Sequence, residues 1–596
     1  MERYLKFIFL FFVSDIFLFE GLGINNGRET AFYLILLMPF FLFIPQFISD
    51  FGKKILFPVR FTAIFSLFMI FSLVSSVFSV NLQNSFQNLF LYIALFLIFI
   101  FVFNHKELVK NSVLHLIFVL SFIFSIFSLF INFFVGPNSI FSIPIDLAGQ
   151  GYQFVYSVGA HNHLGDFLLL PLTFLMFRLS GGKSKLENLL LFLFFIPYFI
   201  FSYSRSAYLD LFIVTLFFIY YSLRSKVSLK KNFIFYVSGF IFVVVLSVFI
   251  FAVPSNTGKP AFLNSLNTTL QQKYDLSPGK MFFANRNFYA TQGLLSLANK
   301  PLFGVGSGNF EYASQRYMNN PLEYAPTTHN LFFDVFVENG VFAGIVFLTL
   351  FLLILSNVKV QLGRKENQIL NTNNVLFIFL FLVVLLNFQT DYTFLIRSFF
   401  LLFFILIGLI YYEKQTIELN FFVPVFSLIL FLIFNLAIFS NIAISKGNYL
   451  LAFYSYPLNK EAYAPLVNSQ LIINHKPSAI SYLDYYVKLF NGDTDVLNYA
   501  GNVYYVYVGQ KEALTFYEKA FDAYNFMDPE LINRIYNVKL NIQGQGKAKE
   551  FADKYFLRLS KAGSTSQLYG KIYYQYRLAA LKVCKTIYGG GCPYAL

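Results

Sequence analysis

The sequence predicts an all-α protein: a polytopic bundle of about thirteen membrane-spanning helices over residues 1–441, followed by an extracytoplasmic helical-repeat domain over 442–596. Three observations predict it. The hydrophobic fraction is 57% and only 12% of residues are charged, far from the make-up of a soluble globular chain. Apolar runs close to the roughly 20 residues that a helix needs to cross a bilayer recur along the first three quarters of the chain. After Asn441 the composition turns polar and tyrosine-rich, with helical spacing.

Spans are expected near 4–20, 31–48, 61–79, 87–103, 113–135, 162–179, 188–203, 206–223, 233–253, 331–356, 375–388, 393–412 and 420–440. Helix is the default for each, because open backbone polar groups cannot be left in lipid. Arg3, Lys6 and the apolar run behind them look like a signal peptide but lack a small-residue cleavage site, so the run is expected to stay as the first span.

The net charge of +14 raises the question of nucleic acid, and its distribution answers it. Of 44 Lys plus Arg, 18 lie at the N-terminus or in one alternating set of loops, 17 in the C-terminal segment and nine elsewhere. A nucleic-acid binder would gather them on one face. Here Lys53, Lys54, Arg60, Lys106, Lys110, Arg178, Lys183, Arg224 and Lys359 mark one side of the membrane, while NLQNSFQN (81–88) and QTDYT (389–393) carry no cation. The positive-inside bias puts the N-terminus in the cytoplasm, which leaves insert 254–328 and everything after the last span outside. The expected home is the cytoplasmic (inner) membrane, with lipid as the surrounding partner. Cys584 and Cys592 are the only cysteines; they leave a short disulfide loop or two free thiols open, and exclude a zinc site or a disulfide framework.

In the C-terminal segment Gly501, Tyr504, Ala513, Tyr517 and Ala520 follow the small–large alternation of a tetratricopeptide repeat, with Pro529 closing the unit. Segments 461–490 and 531–560 look like degenerate copies, and an unrelated stack of helical hairpins is the alternative. Such solenoids offer concave peptide-binding surfaces, so a protein partner is expected there.

Polar residues between spans are the candidates for chemistry. VGAHNHLGDF (158–167) offers Asn162, His163 and Asp166; YSRSAYLD (203–210) sets Arg205 in a tight turn; insert 254–328 and the start of the next span add Arg286, FGVGSGNF (303–310), Arg316, His329 and Asn330. Arg205 opposes the charge bias between two apolar spans, either as a snorkelling side chain or as a fork for phosphate oxygens. His329 at a helix start is either an interfacial residue or a base suited to neutral pH. FGVGSGNF lacks the strand and the Lys-Ser/Thr of a phosphate loop, so its glycines are expected to allow a tight turn. Asp166 and Asp210, about a turn inside their spans, would need partners, and the arginine clusters are the natural ones.

In this order AHNHLGDFLLLPLTF (160–174), YSRSAYL (203–209), NKPLFGVGSGNF (299–310) and THNLFFDVFVENGVFAGIVFL (328–348) resemble the motifs of the O-antigen ligase/polymerase family of polytopic glycosyltransferases. The resemblance covers roughly 150–410, and some members carry tetratricopeptide repeats after the last span. It implies transfer of a preassembled glycan from a polyprenyl-pyrophosphate carrier to a glycan, lipid or protein acceptor. Arg205 then matches the turn arginine that binds pyrophosphate, and Arg286, with Arg316 as the alternative, the loop arginine. His329 matches the acceptor-activating histidine, with His163 as a rival because histidines flank Asn162 here. The leaving diphosphate needs no metal or other cofactor. A transporter would instead place its polar groups near mid-bilayer on broken helices, and a scaffold would leave these residues dispensable.

Overall fold

The computed structural model describes residues 2–21, 27–49, 54–130, 161–180, 185–202, 204–224, 286–319, 323–363, 372–419, 422–524, 528–561 and 570–594. The expected ninth span (233–253) and most of the insert (254–285) lie outside the described residues. Long apolar runs become α1 (Glu2–Gly21), α2 (Gly27–Ser49), α3 (Val59–Val77), α4 (Leu82–Asn104), α5 (Lys106–Phe130), α6 (His161–Ser180), α7 (Lys185–Phe201) and α8 (Arg205–Arg224). Two shorter helices, α9 (Arg286–Asn299) and α10 (Phe310–Tyr317), precede α11 (Leu331–Gly363), α12 (Thr372–Thr390), α13 (Arg397–Ile410) and α14 (Phe422–Ser445). By length and composition α3, α4, α5, α11 and α14 suffice to cross a membrane, and α7, α8, α12 and α13 contain shorter apolar helices. The chain is an integral membrane protein.

Arg60, Lys106, Lys110, Arg178, Arg224 and Lys359 differ from expectation: they lie within helix ends rather than in loops. Long aliphatic stems let such cations sit on a helix while the charge reaches water or a partner, as Lys110 does with Glu107 at 2.5 Å. One apolar core runs through the bundle, and phenylalanine rings interlock inside it, Phe61 against Phe99 and Phe65 against Phe96 with centroids 4.1 and 4.8 Å apart. At one end a short antiparallel pair, β1 (Leu56–Pro58) and β2 (Thr416–Glu418), clasps the entrances of α3 and α14. It is the one departure from an all-helical plan among the described residues, and it joins two of the cation-bearing loops.

Towards the other end α6, α8 and α12 pack against one another. There residues 303–310 form the expected tight turn, with Gly304, Gly306 and Gly308 at positive φ. The turn seats on α11, where Val305 and Gly306 donate main-chain bonds to the carbonyls of Val337 and Glu338. Helix α11 is interrupted there by Gly340 (φ +84°), whose missing side chain lets the Leu302 carbonyl approach.

After α14 come α15 (Tyr449–Ser455), α16 (Tyr463–Ile472), α17 (Lys476–Leu489), α18 (Thr494–Tyr507), α19 (Gln510–Ala523), α20 (Pro529–Gln543), α21 (Gln545–Lys561) and α22 (Gly570–Ile587). Helices α16 with α17, α18 with α19 and α20 with α21 pack as successive pairs. A Cβ on Gly501 would strike the Tyr517 ring, the small-against-large contact that the spacing implies. Pro529 corrects the sequence reading: it opens α20 behind the cap Asp528, where its missing N–H costs nothing, instead of closing the unit before it. Cys584 and Cys592 are disulfide-bonded. These helices meet the bundle directly: Gly492 donates its N–H to the Val80 carbonyl at 3.0 Å, Tyr312 its hydroxyl to Asp493 at 3.0 Å, and Met318 is buried in their apolar core.

Candidate active site

The turn before α11 is built from its own polar side chains. Asn330 accepts from the Phe333 N–H (3.0 Å), Asp334 from the Thr328 N–H (2.8 Å) and Thr327 Oγ1 from the His329 N–H (2.7 Å). Together they hold His329 at φ +62°, a left-handed conformation that costs a non-glycine residue energy and that clusters at functional sites. Its imidazole stacks on Tyr289 (5.2 Å, 14°) and meets the edge of Tyr392 (4.8 Å, 85°). Nδ1 lies 3.5 Å from Asp391 Oδ1, and the side chain keeps 17% of its surface exposed.

Asp391, in the turn after α12, ties this histidine to a second segment. It accepts from its neighbour's Tyr392 N–H (2.7 Å) and from Ser206 Oγ (3.2 Å), and Ser206 Oγ lies 3.0 Å from Ser204 Oγ. Those two serines flank Arg205, the first residue of α8; the Arg205 side chain itself lies outside the described residues. Burial alone would raise the Asp391 carboxyl, but the approach of His329 and the nearness of His163 outweigh it and hold the group below the usual carboxylate range. A carboxylate that stays ionised 3.5 Å from Nδ1 favours the imidazolium that proton uptake at Nε2 would form, a charge contact made without a hydrogen bond to Nδ1.

Asp166 and Asp210 are both fully buried beside this cluster. Asp210 Oδ2 accepts from Thr390 Oγ1 at 3.0 Å, and Asp166 faces Ser204. Among the described residues neither aspartate has an ion pair, and the Arg205 side chain lies outside them; Arg286 is near enough to act on both aspartates through its charge. Arg286 opens α9, one turn ahead of the Tyr289 that stacks on His329. Arg316 is exposed at the end of α10, over the Tyr317 ring at 5.7 Å. Of the two loop arginines, Arg286 is the one that borders the cluster.

His163 stands on the other edge of Tyr392 (5.0 Å, 78°), but it is only 3% exposed, against 17% for the His329 side chain. A base has to reach its substrate, and His329 is the better placed. The Asn162 side chain lies outside the described residues. Asn330 serves as the cap of α11, with its amide 3.4 Å from the Gln389 carbonyl. The glycine turn supplies scaffold: Glu338 Oε2 and Oε1 accept from the N–H groups of Gly308 (2.8 Å) and Phe310 (3.2 Å), so those donors are already engaged.

Sequence reasoning missed Asp391, Tyr289, Tyr392, Arg28 and Arg397. The last two line a cavity of about 230 Å³ next to the cluster, together with Asn88, Asp334, Glu338 and Leu395. Arg28 donates to the Leu395 carbonyl (3.1 Å) and Arg397 to Asn88 (3.3 Å); among the described residues neither has an ion pair. A signal for both was present, since they belong with Arg205 to the nine cations that break the charge bias. Among the described residues no group of three His, Cys, Asp or Glu is placed to hold a metal ion.

A family model described as O-Antigen ligase matches residues 190–348, a stretch that takes in Arg205, Arg286, the glycine turn and His329. No curated protein matches the chain. The family match supports an enzyme that acts as a lipid-linked glycan transferase, with a lipid-linked glycan as substrate.

Proposed function

We propose that this protein transfers a preassembled glycan from a polyprenyl-pyrophosphate carrier to an acceptor hydroxyl at the outer face of the cytoplasmic membrane, with His329 as the base and Arg205 and Arg286 binding the diphosphate. The observation that carries the proposal is the Asp391 carboxylate, which touches both the His329 ring and Ser206 beside Arg205. One side chain thereby ties the proposed base to the backbone segment that carries Arg205. The thirteen-span arrangement, with the N-terminus cytoplasmic and the C-terminal domain outside, belongs to the same proposal. Two facts support it: turns 204–206, 327–330 and 391–396 gather at one end, and the β1–β2 clasp joins two cation-bearing loops at the other.

In the reaction the acceptor O–H gives its proton to His329 Nε2 while the oxygen attacks the anomeric carbon from the face opposite the carrier. The bond from that carbon to the diphosphate oxygen breaks, and the electron pair leaves with the diphosphate. Guanidinium groups stabilise the charge that develops there, where preorganised cations are most effective. The anomeric centre is inverted. Asp391 holds the imidazole and stabilises its charged form after proton transfer.

The test is incubation of the purified protein with a synthetic polyprenyl-diphosphate glycan and a panel of glycan, lipid and protein acceptors. Release of carrier diphosphate is followed for the wild type and for Arg205→Ala, Arg286→Ala and His329→Ala. Wild-type rates in the His329 variant would end the assignment. Joining repeat units to one another, as a polymerase does, or glycosylating protein hydroxyls uses the same chemistry, and the acceptor that supports turnover separates these readings from a lipid ligase.

A further inference from the structure

Among the described helices long enough to cross a membrane, α14 is the least buried, at 22%. Ile429, Leu432, Leu436, Phe439 and Ile442 recur along it every three or four residues as an exposed apolar stripe, the face that meets lipid. The helix has 24 residues. At that length it extends about 36 Å, a little more than the roughly 30 Å hydrocarbon layer. A centred helix therefore leaves the layer about two residues before Ser445.

The chain does not move away from lipid at that point. Gly447, at φ +73°, closes α14 by donating to the Ile444 carbonyl (2.8 Å), and the Asn448 N–H bonds the Ala443 carbonyl (2.8 Å). The Asn448 side chain then caps α15, accepting from the Leu451 N–H at 3.1 Å. This reversal lays α15 back along α14: Ser440 Oγ donates to the Ala452 carbonyl at 2.9 Å. Asn459 locks the return, its carboxamide donating to Ser440 Oγ (3.0 Å) and Asn441 Oδ1 (2.8 Å), while Ala443, Ala452 and Ala462 pack together. Ser440 is five residues before the end of α14, so α15 runs at the depth where acyl chains meet headgroups. Leu450, Leu451 and Tyr454 on α15 are all exposed, Tyr454 by 67%.

We infer that α15 is an interfacial helix that seats the C-terminal stack on the bilayer surface. Leu450 and Leu451 enter the edge of the acyl layer, and Tyr454 lies at headgroup level, the layer that suits an apolar ring with a polar tip. Lys446, exposed at the turn, reaches headgroup phosphate on its aliphatic stem. A protein occupant fits less well, because it would have to displace lipid from the same depth. The seat adds a third support to the two polar ties between stack and bundle, Gly492 to Val80 and Tyr312 to Asp493. The inference is independent of the transferase chemistry and holds on whichever side of the membrane the stack lies.

The chain contains no tryptophan, so a single introduced one is a unique reporter. Full-length Leu450→Trp and Tyr454→Trp are placed in phosphatidylcholine nanodiscs, with and without bromine on the acyl chains close to the headgroup, and tryptophan emission is compared. Phe439→Trp, on the stripe of α14, is the lipid-contact reference, and Leu578→Trp, exposed on α22, is the water reference. All four sites are exposed, and an unchanged thermal melt shows that each variant folds. Both α15 reporters should lose emission to the extent that Phe439→Trp does, while Leu578→Trp keeps its own. Bromine-insensitive emission from Leu450→Trp and Tyr454→Trp beside a quenched Phe439→Trp would overturn the inference. Shielding of those two reporters from aqueous acrylamide without bromine quenching would overturn it as well, and would identify a second copy or another protein as the occupant.

Discussion

The cluster around His329 and the stack of helix pairs after residue 445 are both helical, yet they are held together in opposite ways. Around His329 the ties are single polar contacts between segments far apart in the chain: Ser206 to Asp391, Asp210 to Thr390, the Arg397 N–H to Glu20 at 2.8 Å. In the stack the helices up to α21 pack mainly on a neighbour in sequence, and α22 reaches back to α20, through apolar cores such as that around Tyr517 and Leu514. Point-like polar ties fix atoms to fractions of an ångström and fail one at a time. Distributed packing tolerates change and fixes less. Chemistry needs the first kind of construction, and a binding platform is served by the second.

The largest expected break falls on the polar side. His329→Ala should lower transfer by roughly 10²–10⁴-fold with the melting temperature little changed, read from carrier diphosphate release. Asp391→Asn should follow at about 10²-fold, because the ring loses its orienting charge. Its pH signature has a definite sign. The Asp391 carboxyl is held below the usual range in the folded protein, so its contribution to stability is full above about pH 4 and is lost as pH falls through the lower, folded value. Melting curves of wild type and Asp391→Asn should therefore converge as pH falls through that lower value into strong acid. A difference that grows between pH 6 and 8 would contradict the arrangement.

Gly340→Ala sharpens the comparison from the backbone side. It puts a side chain at φ +84° against the Leu302 carbonyl, and should cost about 3 kcal/mol or more of stability and much of the activity. Changes within the stack should stay local. Removing the disulfide with Cys584→Ala/Cys592→Ala should destabilise that domain by about 2–3 kcal/mol, as for a short closed loop, and leave carrier turnover in place. Smallest of all, Tyr312→Phe deletes the hydroxyl that bridges Asn81 and Asp493. It should cost about 1 kcal/mol and show mainly as faster proteolytic release of the C-terminal helices.

The same contrast explains what the sequence makes legible. Apolar runs report helices directly, and the pairing of Gly501 with Tyr517 follows from spacing, because both are local patterns. Arg205, Arg286 and His329 stand out because polar residues are scarce beside lipid. Asp391 is visible only as an acid in a cation-free loop; its meaning depends on which distant segment it faces, and no local pattern carries that. Tyr289 and Tyr392 are indistinguishable by sequence in a chain with 40 tyrosines and 84 phenylalanines. Arg28 and Arg397 oppose the charge bias as openly as Arg205 does, and the bias alone does not say that they share a cavity.

Met318 belongs to the segment between the glycine turn and His329, yet its side chain completes the apolar interior of the last helices. Chimaeras are constrained accordingly. Exchanging the terminal helices for those of a relative would strand a methionine in water or leave a hole behind it, so the loop and the helices are expected to be inherited as one cassette.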